Sequence, residues 1–202
     1  ENADSLEVTF KFLAPTVTSF EYKVTYIAYF DGRLGVKAEY DGVKGLSDMP
    51  VFAMDFKMKK KYDKFTFYGM GPDENYIDRN NGARLGVYTL TALENFTKYL
   101  NPQECGNRTG VRYVNVYEEN GAGLNFTATK QPFEMSVLPY NAYELDNAMH
   151  RDELPDPTYT WVRIAAKQMG VGGDDSWGAP VHQEFKISSE EAMTLEFIIN
   201  SL

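Results

Sequence analysis

Apolar and polar positions alternate along most of the chain. Phe20, Tyr22, Val24, Tyr26, Ala28 and Phe30 fall at every second position among mostly polar neighbours, the period that turns one face of a β-strand toward a core. Asp31-Gly32 then interrupts, and Leu34, Val36, Ala38 and Tyr40 resume the pattern. That pair predicts a type I′ hairpin turn, whose two central residues both need φ > 0. Phe52, Met54, Phe56 and Met58 predict another strand, and Phe65 to Tyr68 one more, stopped by Gly69. Later strands are predicted over 83–91, 111–117, 123–129, 133–138, 158–168, 182–187 and 193–199.

One helical start stands out. Asn141 followed three residues later by Glu144 forms a capping-box pattern, predicting a short helix to about Met149, with Pro155 and Pro157 blocking continuation. No repeat, low-complexity tract or linker divides the chain, so residues 1–202 read as a single domain of antiparallel sheets packed face to face. Polar connections at 69–82, 101–110 and 170–180 are the places left for binding chemistry.

Composition narrows the class. With 43% hydrophobic and 24% charged residues the chain reads as globular, and its 14 Tyr and 13 Phe suit pleated surfaces. A net charge of -9 argues against nucleic acid and against an anionic membrane face as partners. The basic run Lys57 to Lys61 reads as a solvated strand end. No apolar stretch approaches the roughly 20 residues that span a bilayer. Glu-Asn-Ala-Asp-Ser does not resemble a signal peptide, and a start without Met suggests a fragment or a processed chain.

The single Cys105 excludes an internal disulfide and reads as a small packed residue, leaving the compartment open between cytoplasm and periplasm. His150 and His182 are the only imidazoles, and without a Gly-x-Ser-x-Gly elbow or neighbouring thiols they suggest neither a hydrolytic triad nor a zinc site. Sequons at Asn95, Asn107 and Asn125 are near chance in so Asn- and Thr-rich a chain. A carboxylate pair for glycoside hydrolysis cannot be singled out, because 29 acidic residues place some pair at any required spacing.

The segment Gly170-Val-Gly-Gly-Asp-Asp-Ser-Trp-Gly178 is the most unusual. Its glycines allow close backbone approach. Trp177 can stack on a pyranose face while the carboxylates accept hydroxyls. Alternatively, Asp174 and Ser176 bond the backbone and Trp177 plugs the core. Local chemistry leaves both open. A phosphate loop does not fit, since no Lys follows the glycines.

Three loop motifs, taken in order, resemble one family. They are Tyr68-Gly-Met-Gly-Pro-Asp-Glu-Asn-Tyr-Ile-Asp-Arg79, Pro102-Gln-Glu-Cys-Gly-Asn-Arg-Thr-Gly-Val-Arg112 and Met169-Gly-Val-Gly-Gly-Asp-Asp-Ser-Trp-Gly178. Together they look like the C-terminal domain of the large bacterial β-galactosidases of glycoside hydrolase family 2, and Leu138 to His150 fits the stretch between the second and third. The resemblance implies an all-β, antiparallel β-supersandwich of the galactose mutarotase type, with one short helix. It implies hydrolysis of terminal β-D-galactosides by a larger enzyme whose catalytic glutamates lie on a separate (β/α)8 barrel. It therefore assigns this chain no catalytic residue and no metal ligand, and places any Mg or Na on the barrel.

Trp177 is the substrate-binding residue the resemblance implies, stacking on the aglycone sugar of the galactoside. Partners on this reading are that galactoside and the catalytic barrel, with the chain inactive alone. Glu74, Asp78, Arg79, Glu104, Arg108 and Arg112 are expected to pin the loops as ion pairs. The family's domain begins with more strands than start at Glu1, so an exposed apolar face or a homo-oligomer is expected. Alternatives are a stand-alone carbohydrate-binding module, and a mutarotase-like epimerase that would need both imidazoles and a buried Glu around one pocket.

Overall fold

A computed structural model describes residues 4–202. The described residues form twelve strands: β1 (Ser5–Ala14), β2 (Phe20–Tyr29), β3 (Leu34–Tyr40), β4 (Val51–Lys59), β5 (Lys64–Gly71), β6 (Arg84–Thr91), β7 (Arg108–Val111), β8 (Tyr113–Tyr117), β9 (Gly123–Ala128), β10 (Phe133–Leu138), β11 (Tyr159–Gln168) and β12 (Met193–Ser201). They form an eight-stranded sheet, β1-β2-β3-β12-β9-β8-β5-β6, and a four-stranded sheet, β4-β11-β10-β7. Every ladder is antiparallel, as the alternation requires.

The sheets meet in an aromatic core. Phe126 of β9 packs against Phe56 of β4 with ring centroids 5.1 Å apart, and Phe197 of β12 lies 6.2 Å from Phe126. Phe65, Phe67, Val162, Ile164 and Met135 are fully buried around them. Truncating any of these rings leaves a cavity, typically at a cost of about 3–5 kcal/mol.

Four strands cannot cover eight. Leu6, Val8, Phe10 and Phe12 of β1 point to the core side, each opposite Ala28, Tyr26, Val24 and Tyr22, yet they remain 40–50% exposed. On the facing sheet, Phe52, Met54 and Phe56 on the core side of the open-edged strand β4 are only half-buried, with Met58 at its end buried, whereas Val162 and Ile164 of β11 are sealed. The sandwich is thus open along the β1/β4 flank, and the expected apolar face is present there.

Several expectations need correction. Strand β1 is not among the strands predicted from the alternation. The Asp31-Gly32 turn is not type I′: among the described residues only glycines have positive φ, and Gly32 at 91° follows a turn closed by Gly32 N–H to Tyr29 O. That is a longer hairpin loop with glycine in the left-handed position. The 111–117 strand breaks at Arg112, where the chain passes from the small sheet to the large one. Residues 182–187 hold a 3-10 turn, Gln183–Phe185, because only Phe185 and Ile187 supply apolar positions there. Strand β5 runs through Gly69 to Gly71. The capping box at Asn141 and Glu144 forms as predicted, but its helix α1 (Ala142–Asp146) ends before Met149.

Candidate functional site

The three motif loops interlock. In the first, the Glu74 carboxylate accepts hydrogen bonds from Gly106 N–H at 2.7 Å and Thr97 Oγ1 at 3.0 Å, takes the Tyr99 hydroxyl, and pairs with Arg79 at 2.6 Å. Burial pushes its pKa up, but these hydrogen bonds and the Arg79 charge outweigh that and leave it below the ordinary value. Asn75 accepts from Thr109 N–H, and Asn107 Nδ2 donates to Asn75 O and to the buried Glu134. The first and second loops therefore form one hydrogen-bonded unit.

Only part of the ion-pair expectation holds. Glu74 pairs with Arg79, but Glu104 meets Arg163 instead, whose guanidinium also takes Asp55 bidentately at 2.7 and 2.9 Å. Arg108, 2% exposed, donates to the carbonyls of Gly106 and Asn107, and burial pulls it down to about 10. Arg112 donates to Gly110 O, and its guanidinium carbon stands 5.2 Å from the Tyr68 ring centre. Asp78 accepts from a backbone amide of the third loop, Gly172 N–H, at 2.7 Å.

That third loop presents its tryptophan to solvent. Trp177 is 92% exposed, so it does not plug the core. Asp175 Oδ1 accepts from Trp177 N–H at 2.8 Å and Ala179 N–H at 3.3 Å, turning the backbone so that the indole leaves it outward. Asp174 bonds His182 Nε2 at 2.7 Å, which raises the imidazole pKa above 6.5. Gly173 is required, because a Cβ there would meet the Ala179 carbonyl oxygen at 2.0 Å.

Two concave regions lie nearby. One, of about 590 Å³, sits on the outer face of the four-stranded sheet between Trp161, Arg163, Glu104, Asn107 and Tyr143, with Val171 of the third loop at its edge. The other, of about 420 Å³, lies beside the first motif and includes Asp73, Glu74 and Asp78. Neither His150 nor His182 lines either one, so the cluster an epimerase needs does not form there. Among the described residues no three His, Cys, Asp or Glu side chains come together as metal ligands. Cys105 is buried, and burial pushes its thiol up to about 11. Asn95 and Asn107 of the sequons are buried too, with their amides bonded to Gly106 O, Val137 O, Asn75 O and Glu134.

Sequence reasoning singled out Trp177 but missed Arg163 and the roles of Asp78 and His182. Nothing local marks Arg163, whose partners lie 108 and 59 residues away.

The model of the beta galactosidase small chain matches residues 1–199. A beta-galactosidase of Halalkalibacterium halodurans is 44% identical over 89% of this chain and 18% of its own length. One from Streptococcus thermophilus is 42% identical over 98% of the chain and 19% of its length. A beta-galactosidase small subunit of Latilactobacillus sakei is 35% identical over 99% of the chain and 65% of its length. The chain thus spans about a fifth of the first two relatives. The solved galactose mutarotase related enzyme of Lactobacillus acidophilus aligns over the whole chain and 69% of its own, at 11% identity and a TM-score of 0.45.

Proposed function

The chain belongs to the β-galactosidase small-chain family, and from that premise we propose that it is the C-terminal, aglycone-side part of an enzyme hydrolysing terminal β-D-galactosides. The observation that carries this reading is Trp177, an indole 92% exposed on a loop whose backbone is bonded into place. Exposing so large an apolar ring is unfavourable unless something covers it, and the apolar face of a sugar ring is a fitting cover. Stacking orients a leaving group without demanding one hydroxyl pattern, which suits varied aglycones.

On this reading bond cleavage belongs to two carboxyl groups of a catalytic (β/α)8 partner, which also holds any Mg or Na. The chain contributes the indole wall and the contacts between domains. The open β1/β4 flank supports a further partner surface, covered by another copy when the chain stands alone.

A galactosidase assay tests the division of labour. The 202-residue chain is expected to release no nitrophenol from nitrophenyl β-galactoside, while its assembly with the catalytic part is active. Turnover by the chain alone would overturn the proposal.

A further inference from the structure

We propose that Asp78 is the positioning residue for the Trp177 loop: it anchors residues 171–181 to the body of the protein and so sets where the indole stands. Its kinetic consequence rests on the reading of Trp177 as an aglycone contact; its structural consequence does not.

Three observations carry it. First, among the described residues the hydrogen bonds of 171–181 stay within that segment or reach its neighbour His182, with one exception, Gly172 N–H to Asp78 Oδ2 at 2.7 Å. Second, the glycines fit around this carboxylate. A Cβ on Gly170 would lie 2.8 Å from Asp78 Cγ, and one on Gly172 would lie 3.4 Å from Oδ2. At Gly170 the loop lacks a side chain where Asp78 needs room, while at Gly172 a methyl group would only reach ordinary contact distance. Third, Asp78 is itself held. It sits in a turn closed by paired backbone bonds between Tyr76 and Arg79, at 3.3 and 2.9 Å, with Tyr76 buried and Arg79 clamped by Glu74. Force on the loop therefore passes to the unit formed by the first two motifs.

Oδ1 of Asp78 is buried without a hydrogen-bond partner in the described residues. A carboxylate oxygen left unpaired is costly.

The geometry separates Asp78 from Trp177 in role. Asp78 touches the loop backbone and acts through it, whereas the indole would meet the sugar. Asn at position 78 keeps an oxygen able to accept from Gly172, and Ala does not.

The test pairs two readouts on the assembled enzyme. Amide hydrogen exchange over 171–179 should speed up in Asp78→Ala and stay near wild type in Asp78→Asn. The KM for lactose should rise in Asp78→Ala with kcat largely kept, by up to the five- to thirty-fold that stacking energies imply for losing the indole, roughly. Asp78→Asn should restore it, and Asp78→Ala should add little to Trp177→Ala. Gly170→Ala, which crowds Asp78 from the other side, should reproduce the faster exchange if Asp78→Ala fails to fold. Unchanged exchange in Asp78→Ala and in Gly170→Ala would overturn the proposal. So would a KM that rises in Trp177→Ala but not in Asp78→Ala. Faster exchange with KM unmoved in Asp78→Ala and Trp177→Ala alike would uphold the anchor and sink the aglycone reading instead.

Discussion

The Glu74 carboxylate accepts the Gly106 amide at 2.7 Å, joining two loops whose residues stand 32 positions apart. With Thr97, Tyr99 and Arg79 on the same carboxylate, Glu74 is the hub of the first two motifs. Its side chain is only 11% exposed, so losing it strands buried donors. Glu74→Ala should lower stability by about 1–3 kcal/mol in urea unfolding. The folded carboxyl titrates below its usual 4.5, so its contribution is present above pH 4.5 and is lost as pH falls through the folded value. The gap between wild type and variant should shrink over that window.

His182 gives the opposite sign. Its partner Asp174 raises the imidazole pKa above 6.5, so the contribution of the pair is present below pH 6.5 and is lost as pH rises through the folded value. Imidazole chemical shifts should show His182 titrating above 6.5 and returning toward it in Asp174→Ala. No change in that variant would mean the pair does not form in solution.

Gly173→Ala brings a methyl group to 2.0 Å from the Ala179 carbonyl oxygen, a contact that backbone must yield to relieve. The loop should open, with faster amide exchange across 171–179, while the urea midpoint moves little because the segment is exposed. Exchange as slow as in wild type would show that the loop base is not closed as described.

The β1 strip predicts solution behaviour. Phe10 and Phe12 extend an apolar face continuous with the core but uncovered. The 202-residue chain should bind a hydrophobic dye or associate with rising concentration, and Phe10→Lys should reduce both. A strictly monomeric particle that binds no dye would contradict an open flank.

Most of the sheet structure is legible in the sequence because a half-buried strand writes its own alternation. The apolar positions of β2, β3 and β4 do so plainly. Strand β1 carries the same alternation in Leu6, Val8, Phe10 and Phe12. The break at Arg112 leaves only a weak mark in the sequence: Val111 and Val114 stand at an odd spacing, so a continuous strand would turn them to opposite faces. The 182–187 segment carries too few apolar residues to define a period. Of the site, exposure of Trp177 could not be read, since a loop tryptophan next to glycines suits a core plug equally well. The Asp78–Gly172 bond spans 94 residues and leaves no local trace.

The central claim is that this chain's indole meets the departing sugar while the bond is broken elsewhere. Steady-state kinetics of Trp177→Ala in the assembled enzyme test it most directly. The account predicts a KM for lactose higher by the equivalent of about 1–2 kcal/mol, with kcat largely kept and acceptor preference altered. An unchanged KM for disaccharides would contradict it.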